Sequence, residues 1–286
     1  MITLDNVSYR YRKCMPDALD GITAQVSPGI YLLLGENGAG KTTLLHLIAG
    51  LLTPTTGTCD LDGDSLSARR PTVMRRVFFL SDDMDMPFAT VNEAVRRHAQ
   101  FYPTFSVEAL QANLSDFGLT GDERLKDLSL GSRHKSLVAY ALALGTEVLL
   151  LDEPANGLDI DAKKSLRRMI ARSMTDDRTI IVSTHTVYDL EALFDGLLLL
   201  SHGSMLISRP TWQIAARLGF VTSTTPLPDA LYQEPEAGIF RAIVKGDGDD
   251  ESAVNYSLLY SAVMSDARDR ILSIINTDTE NNDTDR

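Results

Sequence analysis

The sequence predicts an α/β chain, a parallel sheet with helices packed on it, and three observations carry that expectation. Residues 30–34, 148–151 and 180–183 are short apolar runs, too short for buried helices and suited to strands covered on both faces. Segments with helical spacing alternate with such runs, as βαβ units require. A glycine-rich stretch, Gly35-Glu-Asn-Gly-Ala-Gly-Lys-Thr-Thr43, joins one of the runs to one of the helical segments.

Taken in order, residues 2–7 and 22–26 read as short strands, and the strand at 30–34 is ended by Gly35. Residues 41–51 read as a helix stopped by Gly50 and Pro54. A strand follows at 77–80. Thr90-Val-Asn-Glu93 has capping-box spacing and opens a helix to about Phe101. Residues 106–117 and 133–144 are also helical, so about 83–145 forms a helical insertion. A charged helix at 162–174 separates the strands at 148–151 and 180–183. Residues 196–201 and 204–208 predict a hairpin with a His-Gly turn. Beyond Arg209 the pattern weakens to a short helix at 211–218, a strand at 239–245 and helices at 253–264 and 267–275. Pro226, Pro228 and Pro235 mark a loop-rich link there, and Trp212, the only tryptophan, is expected to anchor the segment by packing.

Composition narrows the function. Among 286 residues, 27 Lys and Arg face 39 Asp and Glu, a formal net charge of −12. That balance argues against nucleic-acid binding, which needs clustered basic charge. The acidity is concentrated at 246–286, with ten acids against three bases, and 276–286 reads as a disordered acidic tail. Cys14 and Cys59 suit neither a metal site nor a disulfide framework, which points to a reducing compartment. The opening Met1-Ile-Thr-Leu-Asp-Asn6 lacks the basic and apolar regions of a secretory leader. No stretch approaches the roughly 18 apolar residues of a membrane span. His98 and His134 lack partners at ligand spacing.

The glycine-rich stretch fits G-x-x-x-x-G-K-[ST], the phosphate-binding loop. Its glycines let the backbone wrap closely around phosphates, and the following helix adds its positive N-terminal end. Lys41 would reach the β- and γ-phosphates, and the Thr42 hydroxyl would ligate Mg²⁺. The apolar run at 148–151 ends in Asp152 and Glu153. Asp152 suits the second metal-anchoring element of P-loop nucleotidases, and Glu153 is placed to polarise an attacking water.

Three further segments follow the same order as in a known family. Leu128-Ser-Leu-Gly-Ser132 resembles the signature segment of the ATP-binding subunits of ABC transporters, Asn156-Gly-Leu-Asp159 their D-loop, and Ser183-Thr-His185 their switch-histidine segment. The resemblance spans about 2–208. It implies a P-loop NTPase core with a mixed sheet and the helical subdomain of the ABC ATPase type. The layout is then an ATP-binding domain at 1–208, a C-terminal appendage of unknown role at 209–275, and the tail.

The resemblance also implies a mechanism. Two subunits, copies or paralogues, close head to tail on two ATP molecules. Gly35, Asn37, Gly38, Ala39, Gly40, Lys41, Thr42 and Thr43 of one bind the phosphates, while Ser129 and Gly131 of the other contact the γ-phosphate. Glu153 becomes the general base, His185 bridges the γ-phosphate and the water, Asp159 communicates across the dimer, and Tyr11 stacks on adenine. Mg²⁺ is held by Thr42, Asp152 and a residue after the strand at 77–80. That residue is usually glutamine; here Asp82 stands there, and a carboxylate can ligate Mg²⁺ directly. In the signature, Leu130 and Ser132 replace a glycine and a glutamine. These departures resemble a bacterial exporter-type subgroup. The implied partner is a polytopic membrane permease, with this subunit peripheral on the cytoplasmic face of the membrane. An ATP-driven clamp on DNA or ribosomes is the alternative, disfavoured by the acidity and by the lack of coiled coils.

Overall fold

The computed structural model describes residues 1–184, 190–246 and 253–277. In β1 (Ile2–Tyr9), Ile2, Leu4 and Val7 are buried. A strict two-residue period would turn Val7 outward. The ladder shifts between Leu4 and Val7, where Asn6 takes φ 48°, and this bulge returns Val7 to the core. β2 (Leu19–Val26) pairs antiparallel with β1. β3 (Gly29–Leu34) is buried at every residue and feeds the glycine-rich loop and α1 (Lys41–Ile48). β4 (Thr56–Leu61) and β5 (Asp64–Ser65) complete a four-stranded sheet in the order β2-β1-β4-β5.

After α2 (Pro71–Met74) and β6 (Val77–Leu80) comes the helical segment: α3 (Val91–Arg97), α4 (Val107–Asp116) and α5 (Leu130–Ala143). Each starts on the side-chain cap its sequence offers. Thr90 accepts the Glu93 N–H at 3.1 Å, and Glu93 reaches back to the Ala89 N–H at 2.8 Å. Ser106 accepts the Ala109 N–H at 3.0 Å. α5 begins three residues before the expected start at 133, because Ser129 accepts the Ser132 N–H at 3.2 Å and makes the signature segment the helix's first turn.

β7 (Val148–Asp152), α6 (Ile160–Arg172), β8 (Thr179–Ser183), β9 (Gly196–Ser201) and β10 (Ser204–Pro210) follow. The six-stranded sheet runs β10-β9-β3-β8-β7-β6. Its β3–β8, β8–β7 and β7–β6 pairs are parallel, with Leu33 beside Ser183, Ser183 beside Asp152, and Leu151 beside Leu80. That register brings the loops after four strands out at one edge, where open parallel sheets bind ligands. The β9–β10 turn places His202 and Gly203 at φ 48° and 80°, the conformation that a two-residue hairpin prefers.

The chain divides into two compact units. The first comprises Met1–Phe194 and Leu198–Ser208; the second comprises Asp195–Leu197 and the described residues from Arg209 on. In the second, α7 (Thr211–Ala215) precedes β11 (Leu218–Ser223), β12 (Tyr232–Glu236) and β13 (Ile239–Lys245), an antiparallel sheet ordered β11-β13-β12, then α8 (Tyr256–Val263) and α9 (Arg268–Asn276).

Several expectations change in this unit. Leu218 opens a strand instead of closing a helix. Pro235 lies in β12, an edge strand, where its missing N–H is tolerated. Trp212 is 58% exposed, which leaves it outside the packed interior of this unit; the buried aromatic there is Tyr256, whose hydroxyl bonds the Thr211 hydroxyl at 2.7 Å. Asn276 belongs to α9, so the helix enters the span expected as a tail, and 278–286 lie outside the described residues. No helix among the described residues is long and apolar enough to cross a membrane. Cys14 is exposed, and burial pushes the Cys59 thiol up to about 12, which keeps it protonated and inert.

Candidate functional site

At the carboxyl edge of the parallel strands lies a cavity of about 730 Å³. The glycine-rich loop forms one wall, with Asn37, Gly38, Gly40, Lys41, Thr42 and Thr43 lining it. Gly40 caps α1 at φ 103°, and a Cβ there would meet Leu19 Cδ2 at 2.6 Å and the Ala18 carbonyl at 2.7 Å. Only glycine lets the loop turn here into the helix. Gly35 and Ala39 shape the loop from behind: Gly35 opens it, and Ala39 is buried with its N–H on the Glu36 carbonyl at 3.1 Å. Lys41 Nζ donates to the Gly35 and Glu36 carbonyls at 2.7 and 3.2 Å, which bends the ammonium over the loop. Glu36 ties the loop to the β9–β10 turn. Its Oε1 accepts the His202 N–H at 2.8 Å. Burial pushes this carboxyl up, but its hydrogen bonds to the His202 and Glu36 N–H groups outweigh that and hold it below its ordinary value.

Thr42 and Asp152 meet across 110 residues of sequence: the Thr42 hydroxyl donates to Asp152 Oδ2 at 2.9 Å. The Ser183 hydroxyl donates to Asp152 Oδ1. With Asp152 8% exposed and Ser183 fully buried, these bonds fix the carboxylate. Glu153 follows at φ 51°, a left-handed conformation that costs a non-glycine residue about 1 kcal/mol. Its N–H is held by the Ser183 carbonyl at 3.0 Å and the Ser183 hydroxyl at 3.2 Å, which keeps the side chain facing the cavity it lines.

Asp82 also lines this cavity, and both of its oxygens accept the Asn156 amide at 3.1 Å. Tyr11, 54% exposed, closes the far side with its hydroxyl 3.0 Å from that of Thr43 and its ring edge-on to Tyr9.

Ser129, Gly131 and Asp159 do not line the cavity. Ser129 caps α5, and a Cβ at Gly131 would press on the Gly157 carbonyl at 3.2 Å, so the signature helix starts close against the segment after Glu153. Asp159 caps α6, accepting the Ala162 N–H at 2.8 Å, and pairs with Lys135 at 2.9 Å. Those two donors, the N–H first, hold its carboxyl below the usual range. His185 lies outside the described residues. The sequence gives no role to Ser183's hydroxyl or to Glu36, and it marks Asn156 only as part of the D-loop-like segment; the strand-end position of Ser183 and the loop position of Glu36 are the signals that point to the other two.

The donor set suits a hard divalent cation: the Thr42 hydroxyl and the Asp152 and Asp82 carboxylates are all oxygen. Among the described residues no group of three or more His, Cys, Asp or Glu forms a cage by itself. Two carboxylates and a hydroxyl are a donor set Mg²⁺ can use, since it takes one or two carboxylates and completes its shell with substrate phosphates and water. Asp82, Asp83, Asp152 and Glu153 all line a cavity whose one lining Lys or Arg among the described residues is Lys41. A polyphosphate entering there brings more negative charge and needs an accompanying cation.

Comparison with known proteins adds to this geometry. The ABC transporter family profile matches residues 19–156. The chain is 30% identical over 217 residues to the ABC transporter ATP-binding protein NatA of Bacillus subtilis, covering 72% of this chain and 88% of that one. It is 30% identical over 257 residues to the Nod factor export ATP-binding protein I of Burkholderia orbicola, covering 86% and 84%. With the bacitracin transport ATP-binding protein BcrA of Bacillus licheniformis it shares 31% over 202 residues, covering 68% and 65%. Among solved structures, an ATP-binding subunit of an ABC transporter superposes with TM-score 0.66 at 24% identity over 75% of this chain and 91% of that chain. A dimeric bacterial ABC transporter cassette gives TM-score 0.62 at 22% identity over 73% and 98%. At these identities the structures show the shared fold.

Proposed function

The chain belongs to the family of ABC transporter ATP-binding proteins, and from that premise we propose that it binds Mg²⁺-ATP in the cavity at the sheet edge, hydrolyses it there, and so powers a transporter whose membrane-spanning part is a separate polypeptide. The Thr42–Asp152 contact carries the reading. It joins the phosphate loop to the acidic strand end at one point, so that a hydroxyl and a carboxylate suited to one cation meet beside the phosphate cradle.

Each residue then has a task. The loop N–H groups and the N-terminus of α1 receive the phosphates, and Lys41 leaves its loop carbonyls to neutralise the β- and γ-oxygens. Thr42, Asp152 and Asp82 hold the Mg²⁺, which when bound neutralises charge developing on the phosphate oxygens. Glu153 takes the proton of the attacking water, and His185 orients that water against the γ-phosphate. Tyr11 offers its face to adenine, a contact worth about 1–3 kcal/mol.

Ser129 and Gly131 act on the ATP held by a second subunit, a copy or a paralogue, docked head to tail, with Asp159 at the crossing. The export and transport names of the Nod factor and bacitracin relatives favour export, and they favour transport over a clamp on DNA or ribosomes. The subunit would then sit on the cytoplasmic face of the membrane against a polytopic permease. Glu153→Gln tests the base: hydrolysis should fall about 100-fold or more while ATP binding persists. Hydrolysis at the parent rate would remove Glu153 from that role.

A further inference from the structure

The hydrogen bonds around Asp82 single out a residue outside the metal and phosphate set. Asp82 sits on the loop after β6, and Asn156 on the loop after β7, 74 residues away; the Asn156 amide reaches both carboxylate oxygens at 3.1 Å. Resting on the reading that Asp82 serves the metal, we propose that Asn156 is the positioning residue that aims the Asp82 carboxylate at the Mg²⁺ of bound ATP.

The argument is one of charge and capacity. Asp82 shares its cavity with Asp152 and Glu153, both acidic, and it is itself exposed. Left alone, like-charge repulsion and hydration turn such a carboxylate out toward water. An amide is the donor that prevents this without competing for the site, because it attracts the carboxylate yet adds no cation to the cavity. It also leaves capacity. A carboxylate has about four acceptor positions, and the amide takes one on each oxygen, so each keeps another for the cation. Asn156 is placed by its own loop: its N–H bonds the Glu153 carbonyl at 3.0 Å, and Gly157 follows at φ 69°. The same loop thus carries the proposed base and the residue that aims a metal ligand. An aspartate in place of the family's usual glutamine needs this help, since a glutamine amide is neutral and feels no such repulsion.

The test is a Mg²⁺ titration of the full chain bound to a fluorescent, non-hydrolysable ATP analogue, read as the Mg²⁺ concentration at half-maximal binding. Asn156→Ala should raise that concentration about three- to tenfold, the range that the net worth of one ordinary hydrogen bond at an exposed site implies. Asn156→Asp, which keeps the shape and replaces the donor with a second carboxylate, should raise it further. In an Asp82→Ala background Asn156→Ala should add nothing, whereas a residue that merely supports the loop would act in both backgrounds. A cooperative thermal transition in circular dichroism, read for every variant, reports that each is folded. A shift with Asp82→Ala but none with Asn156→Ala overturns the positioning role alone. No shift with Asp82→Ala overturns the metal role of Asp82, and the inference with it.

Discussion

The two ends of the first unit are built differently. At the phosphate-loop end, side chains from distant parts of the chain satisfy one another: Thr42 and Ser183 on Asp152, Ser183 on Glu153, Glu36 on the β9–β10 turn. At the signature end, Ser129 and Asp159 serve mainly their own helix starts, and large apolar side chains beside them face outward, Leu130 and Ile160 each 72% exposed. Among the described residues, the side chains of the first end bond to one another within a single chain. The other carries residues whose local contacts do not explain their pattern, which is the expected state of half a composite site. The bonds from Thr42 and Ser183 fix the Asp152 carboxylate, and a preorganised site is what phosphoryl transfer needs. Exposed apolar side chains at the second end are what an interface core uses.

The largest effect should separate the ends cleanly. Lys41→Ala removes the cation of the phosphate-loop end and should weaken ATP binding by about 100-fold, as loss of a charge-assisted contact implies, in isothermal titration. Gly131→Asp, at the other end, should leave binding by the single chain within about twofold while abolishing turnover. If both variants lose binding alike, the ends are not separable and the comparison breaks. Next in size, Ser183→Ala strips a buried carboxylate of one donor and should cost about 1.5–3 kcal/mol in chemical denaturation. Ser129→Ala should cost only about 1 kcal/mol, the value of an exposed N-cap, although its effect on turnover should be far larger. A Ser129→Ala variant equally impaired in both would make Ser129 a cap and nothing more. Smallest is Trp212→Ala in the second unit, expected within about 0.5 kcal/mol of the parent because the ring packs on little.

Legibility in the sequence follows the same division. The phosphate loop and the Asp152-Glu153 strand end were readable because their chemistry is local: a turn that needs glycine at fixed steps, and an apolar run that stops at two acids. β4 was missed because Thr56, Gly57 and Thr58 are exposed and only Cys59 and Leu61 are buried, too sparse a signal for a strand. β12 was missed because Pro235 reads as a break, and only the sheet order reveals that it lies at an edge. α5 was placed late because Gly131 lowers helix propensity, and the Ser129 cap that outweighs it is also the proposed phosphate contact. A single tryptophan reads as a packing anchor, and a helix as short as α7 has too little periodicity to show that Trp212 faces outward. The Asn156–Asp82 contact lay beyond any local rule, since it joins two loops through tertiary structure.

Where two copies of this chain form the pair, the phosphate-loop end of one needs the signature end of the other. The mass of the Glu153→Gln chain in sedimentation, with Mg²⁺-ATP added, tests it most directly. Adding ATP should shift the mass from one chain to two, and introducing Gly131→Asp into the same chain should reverse the shift. A chain that binds ATP fully and sediments as a single copy in both forms would contradict it.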